Sequence, residues 1–225
     1  MAPPGSGGPL PAIGSGPVNT TGFVDVLFLR HATPEYPFEQ FPDPFAMPLS
    51  SVGREEAAAA AAAVARFGPQ AAFVSDFLRT VETAAIALRG TSVELQLSPE
   101  LRERTFFSLV GMTFADIVQA HGEPARHIFT GNSDKVDLHG EETYEAARRR
   151  VVAFVEGLSP AHNGRRVLVV SHGGPHAWLV AAAGGTSLRG VRTAGIGMGH
   201  CSRFRVNGSS IRVMAKNLTP EEVLA

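Results

Sequence analysis

The sequence predicts an α/β sandwich in which a mostly parallel central sheet is flanked by helices, and three observations carry the prediction. Short apolar runs such as "VDVLFL", "AAFVS" and "RRVLVVS" are rich in Val, Leu and Phe, as strands covered on both faces are. The segments between them are longer, Ala-rich or charged, and read as helices. From Phe23 onward the two signals alternate, which is the pattern of stacked βαβ units.

Taken in order, "VDVLFL" is the first strand. "SSVGREEAAAAAAAVARFG" follows as a helix that Ser50 or Ser51 caps and Gly68 ends. The strand "AAFVS" leads to a helix from Phe77 to Arg89, with Asp76 as its expected cap, and "VELQL" is an edge strand. A helix from Thr113 to His121 precedes a Gly-rich polar excursion, residues 122–140, and then a charged helix from Glu141 to Gly157. The strand "RRVLVVSHGG" turns through two glycines into the helix "PHAWLVAAAG". "CSRFRV" and "IRVMAKN" alternate as paired strands around a turn at Asn207 and Gly208.

Residues 1–20 are dominated by Pro, Gly and Ser and are expected to form a disordered tail, leaving one domain over 21–225. The tail lacks the basic and apolar regions of a secretory signal. No apolar run reaches the roughly 18 residues that a bilayer requires, so no membrane partner is expected. A net charge of −1 gives no electrostatic footprint for nucleic acid. Cys201 is the single cysteine, so no internal disulfide can form and a cytoplasmic setting is expected.

Three apolar strands end abruptly on polar groups: Leu29 gives way to Arg30 and His31, Val74 to Ser75 and Asp76, and Val170 to Ser171 and His172. In open α/β sheets ligands bind at the carboxyl ends of the strands. If these strands are parallel neighbours, their ends meet at one rim. Arg79 lies one helical turn beyond Ser75, near a helix start that favours an anion. Arg30, His31, Arg79 and His172 gathered there would make a phosphate pocket.

With these residues in view, the chain resembles the histidine phosphatase superfamily of phosphatases and cofactor-dependent phosphoglycerate mutases, from Phe23 to about Asn217. "LRHATPE", "PLSSVGREEA", "VSDFLRTVETA", "LRERTFFSLVG", "GEETYEAARRRV" and "VLVVSHGG" resemble its motifs in family order. The resemblance implies a phosphoglycerate mutase-like three-layer sandwich and a phosphoric monoester hydrolase of the histidine acid phosphatase type. It implies that His31 is the nucleophile, and that Arg30, Arg79 and His172 surround the phosphoryl oxygens. Glu103 would protonate the leaving alkoxide and then activate water. Thr33 and Gly173 join Arg30, Arg79 and His172 as implied substrate-binding residues. Neither metal nor cofactor is implied, because side-chain cations neutralise the transferring group.

Ordinary readings compete with some of these. Glu103 lies between Arg102 and Arg104 and, without the family resemblance, reads first as a surface ion-pair member. His121, His127, His139, His162 and His176 have no ligand spacing, and "GIGMGH" lacks the third glycine of a dinucleotide fingerprint. Ala32 stands where the family has glycine, Phe107 replaces another glycine, and Glu142 replaces a serine. Pro37 stands nearest to a phosphate-contacting Asn of the mutases, which argues for the phosphatase branch.

The expected function is therefore metal-independent hydrolysis of a small-molecule phosphate ester through a phosphohistidine. A mutase-like phosphoryl transfer and a catalytically weak phosphate-binding module are the alternatives; the set Arg30, His31, Arg79, Glu103 and His172 speaks against the last. A homodimer is left open. Tyr36, Phe38, Phe41, Phe45, Phe106 and Phe107 are expected mainly to pack, and His127, Lys135 and His139 to lie in a solvated loop.

Overall fold

A computed structural model describes residues 22–37, 39–130, 133–184 and 195–224. The expected tail, and Phe38, lie outside these residues. The strands are β1 (Val24–Arg30), β2 (Ala71–Val74), β3 (Leu95–Leu97), β4 (Arg166–Ser171), β5 (Cys201–Asn207) and β6 (Ser210–Leu218). The helices are α1 (Ser51–Phe67), α2 (Leu78–Ala87), α3 (Phe114–His121), α4 (Arg126–Phe129), α5 (Tyr144–His162), α6 (Gly173–Gly184) and α7 (Pro220–Leu224).

One sheet has the order β3-β2-β4-β1-β5-β6. Its first four strands are parallel, while β5 runs antiparallel to β1 and pairs with β6 as a hairpin. The predicted edge strand is present but short, and Gly208 takes a left-handed φ of 55° in the hairpin turn.

The apolar runs read as doubly covered strands because alternate residues serve opposite layers. Val26, Phe28, Phe73, Val167 and Val169 meet Val151, Phe154 and Val155 of α5 and Trp178 and Leu179 of α6. Leu27, Leu29, Ala72, Val74, Leu168 and Val170 meet Ala60 and Val64 of α1 and Ala84 and Ala87 of α2. Each large apolar side chain removed from water in this way contributes about 1.5–3 kcal/mol.

The caps of α1 follow the sequence: Ser50 accepts from Gly53 N–H, and Gly68 closes the helix at φ 62°. Gly53 has a further role, since a Cβ there would stand 2.0 Å from the Thr33 carbonyl oxygen. That close approach fastens the start of α1 to the loop after β1.

Three expectations are corrected. Asp76 does not cap α2: the N-cap is Phe77 without a side-chain bond, and Asp76 binds Arg102 through both carboxylate oxygens. Helix α5 begins at Tyr144 under a Thr143 cap, not at Glu141, and continues through Pro160 to His162. The excursion is only partly a solvated loop. Lys135 and His139 are exposed, but Ala125 is buried with Phe106, Leu109 and Ile117, and Ile128, Phe129 and Leu138 pack against them. The Arg104 guanidinium lies over the Phe106 ring of this small apolar cluster. Among the described residues no helix is long and apolar enough to cross a membrane.

Candidate active site

Parallel pairing brings the strand ends together as the sequence implied: Arg30 is in register with Ser171, and Val74 with Val170. His31 and His172, each one residue beyond its strand, lie with ring centroids 5.1 Å apart. Both are buried, and so is Arg79.

His31 Nδ1 is 2.9 Å from the Ala32 carbonyl oxygen. A carbonyl can only accept, so Nδ1 carries the proton and Nε2 presents a lone pair when the ring is neutral. Burial, then Arg79, then Arg30, push His31 well below the ordinary imidazole value, and the Ala32 bond offsets only part of this. The ring is therefore neutral at pH 7. Ala32, at the family's glycine position, is itself fixed by its N–H donating to Thr83 Oγ1 at 3.0 Å.

Arg79 Nη2 donates to His172 Nδ1 at 3.1 Å, so the proton of His172 sits on Nε2, which donates to Ser75 Oγ at 2.8 Å. Burial dominates the lowering of both His172, well below its ordinary value, and Arg79, down to about 10. Among the described residues, Arg79 Nε and Nη1 and Arg30 Nε are buried without a hydrogen-bond partner. Arg30 Nη1 donates to the Ile196 carbonyl at 2.5 Å, which aims its guanidinium along the rim. Buried donors left unpaired cost about 1–3 kcal/mol each, so this concentration of them requires a reason.

Glu103 reaches the same rim from the segment after β3. Its Oε2 accepts from Gly174 N–H at 2.9 Å, at the start of α6, and its Oε1 from Arg104 N–H at 3.2 Å. The residue is partly exposed, but its carboxyl is enclosed, and burial raises its pKa despite Gly174, Arg79 and Arg30. A Cβ on Gly174 would come within 2.1 Å of Glu103 Oε1, so glycine there makes the contact sterically possible. Gly173 lies against the Arg30 guanidinium, whose carbon would be 3.5 Å from a Cβ at that position.

Thr33 is placed differently from its implied role as a substrate ligand. Its N–H and Oγ1 both donate to Glu56, at 2.7 and 3.0 Å, so its hydroxyl proton is committed to the protein. The sequence reading also passed over Ser75 as the partner of His172 and Arg150 as the partner of Glu142. Arg150 Nε and Nη2 bind the two Glu142 oxygens at 2.8 and 2.7 Å, which accounts for the acid at the family's serine position. Arg104 donates to the carbonyls of Ser133, Val136 and Glu142 and to Asp137, latching the excursion beside Glu103.

The aromatic residues divide. Phe106 is buried and Phe41 packs on it, whereas Tyr36, Phe45 and Phe107 are exposed. Phe45 and Phe107 stack with centroids 6.0 Å apart, and the Arg102 guanidinium lies over Phe45. Among the described residues no group of three or more His, Cys, Asp and Glu could hold a metal ion.

Known proteins resemble this chain to different degrees. A glucosyl-3-phosphoglycerate phosphatase of Mycolicibacterium vanbaalenii is 28% identical over 81% of this chain and 84% of its own. A bifunctional protein of Mycobacterium tuberculosis is 31% identical over 70% of this chain but 43% of its own, so the chain spans less than half the length of that relative. The solved structure of YhfR from Bacillus stearothermophilus superposes with a TM-score of 0.76 over 87% of this chain and 97% of that one, at 21% identity, and shares the fold. The sequence profile of the histidine phosphatase superfamily (branch 1) matches residues 26–219, and with the fold and rim described above this chain belongs to that superfamily.

Proposed function

We propose that the protein hydrolyses phosphomonoesters without a metal ion, by the phosphohistidine route of the histidine acid phosphatase type. The observation that carries this reading is His31, with Nδ1 committed to the Ala32 carbonyl and Nε2 presented, beside buried Arg79 and Arg30 donors that lack hydrogen-bond partners among the described residues. A phosphoryl group bound there pairs those donors and lies before the nucleophile.

His31 Nε2 attacks phosphorus and the P–O bond to the alcohol breaks. Arg30 and Arg79 stabilise the charge spread over the non-bridging oxygens. His172, expected among the groups around the phosphoryl oxygens, has both ring nitrogens engaged, by Arg79 and Ser75, and instead holds Arg79 Nη2 in position. Glu103, whose raised pKa favours the protonated form, gives its proton to the departing alkoxide. As a carboxylate it then takes a proton from the water that splits the phosphohistidine. The named relatives include phosphatases, which supports hydrolysis as the outcome.

Release of inorganic phosphate from p-nitrophenyl phosphate in EDTA tests the reading. Steady release by wild type, abolished in a folded His31→Ala variant, is expected. Activity killed by EDTA and restored by a divalent ion overturns it. Release of an isomeric phosphate from a phosphorylated hydroxy acid, without free phosphate, would favour a mutase.

A further inference from the structure

Among the described residues, Asn217 alone takes a left-handed backbone without being glycine, at φ 52°. It lies in an irregularity of the β5–β6 hairpin: between the pairs Cys201–Leu218 and Arg203–Ala215, β6 carries one residue more than β5. A bulge of this kind re-aims a side chain. Asparagine tolerates the conformation better than most residues, though not without strain, and strain of this kind concentrates at functional sites. The Asn217 N–H donates to Ser202 Oγ at 3.0 Å, which ties the bulge to β5.

The bulge turns the Asn217 amide onto the segment that precedes β5. Its Oδ1 accepts from the Gly197 N–H at 2.7 Å and from His200 Nδ1 at 2.9 Å. The Gly197 N–H and the Ile196 carbonyl are the two ends of one planar peptide, and that carbonyl receives Arg30 Nη1. Fixing one end of the plane fixes the other. The same segment meets the end of β1 twice more: the His200 carbonyl accepts from the Arg30 N–H at 3.1 Å, and the Gly199 N–H donates to the His31 carbonyl at 3.4 Å.

Building on the proposed function, we infer that Asn217 is a positioning residue: its amide sets the plane of the 196–197 peptide and thereby aims the Arg30 guanidinium at the phosphoryl oxygens. It acts through Arg30, not on the phosphoryl group itself. Because Asn217 is exposed, loss of its amide gives the Gly197 N–H to water and leaves no buried donor unpaired, so the effect falls on the geometry of the site and little on stability.

The test uses p-nitrophenyl phosphate turnover and thermal unfolding. Asn217→Gly keeps the left-handed backbone at no steric cost and removes the acceptor. Its Tm should stay near wild type while kcat/KM falls about tenfold to hundredfold, the scale of a small misplacement of a catalytic group. Asn217→Asp, which tolerates the same φ and retains an acceptor oxygen, should recover most of that loss. In an Arg30→Met background, Asn217→Gly should change kcat/KM by less than about twofold, because both substitutions act through one guanidinium. A full second loss in that background overturns the inference and leaves the phosphatase reading intact. Wild-type kinetics in Asn217→Gly, or an Asn217→Asp protein as slow as Asn217→Gly, does the same. Absence of His31-dependent turnover in wild type overturns the phosphatase reading itself, and the role of Asn217 with it.

Discussion

Arg79 and His172, which are 93 positions apart in the chain, share a buried hydrogen bond of 3.1 Å from Nη2 to Nδ1. The bond fixes the guanidinium by one nitrogen and leaves Nε and Nη1 without a hydrogen-bond partner among the described residues. Arg79 is thus oriented before any ligand arrives.

That orientation predicts how the site responds to an oxyanion. Inorganic phosphate should raise the Tm of wild type, because binding to the native state adds to its stability. Arg79→Met should abolish that shift and lower kcat/KM by about 10²–10³, the usual effect of removing one donor to a developing anion. Its Tm without phosphate should stay near wild type, since removal of two buried unpaired donors offsets the loss of the bond to His172 Nδ1. An undiminished phosphate shift in Arg79→Met, measured by thermal unfolding, would place the anion elsewhere.

The buried histidines set a pH dependence of stability. His31 and His172 both titrate well below the ordinary 6.5 in the folded protein. Below pH 6.5 the unfolded chain binds protons that the folded chain does not, so their contribution is complete above that value and declines as pH falls toward the folded pKa values. Glu103 has the opposite sign: its raised pKa makes the folded state hold a proton longer, so its term diminishes as pH rises above 4.5. Urea unfolding of Glu103→Gln at pH 7.5 and 5.0 isolates the histidines. A loss of stability toward pH 5.0, reduced in Glu103→Gln/His31→Asn, is expected; an identical loss would remove His31 from the account.

Arg104 anchors the excursion through carbonyls of residues 133–142 and through Asp137. Its side chain is 3% exposed, so leucine in its place leaves those acceptors enclosed or forces the loop open. Arg104→Leu should cost about 2–4 kcal/mol in urea unfolding. Protease cleavage within 122–142 should also become faster. A stable, protease-resistant variant would show that the apolar packing of Ile117, Ile128 and Phe129 holds the excursion alone.

Much of the rim was legible because strand ends are marked by an abrupt change from apolar to charged residues, as at Leu29–Arg30 and Val170–Ser171. Parallel pairing then follows from the helices between them. Caps were readable where the signal is local, as with Ser50 and Gly68. Asp76 misled for the opposite reason: its partner, Arg102, is 26 residues away and competes for the same carboxylate. The excursion misled because α4 has four residues, too short for helical periodicity to show which side chains turn inward. Nor could spacing show that Glu56 takes Thr33, or that Ser75 receives His172.

Glu103→Gln separates acid catalysis from structure. The amide can still accept a hydrogen bond but cannot deliver the proton. Single-turnover release of an alkyl alcohol should slow by about 10²–10⁴, and release of p-nitrophenolate, which is stable as an anion, far less. Equal losses on both esters would assign Glu103 to holding Gly174 and Arg104 rather than to proton transfer.

The central claim is the covalent step on His31, and the direct measurement is rapid quench of wild type with ³²P-labelled p-nitrophenyl phosphate followed by peptide mapping. The account predicts acid-labile, alkali-stable phosphate on the peptide carrying His31, formed and lost at rates compatible with turnover and absent from His31→Ala. Label on another residue, or full turnover by a folded His31→Ala protein, would contradict it.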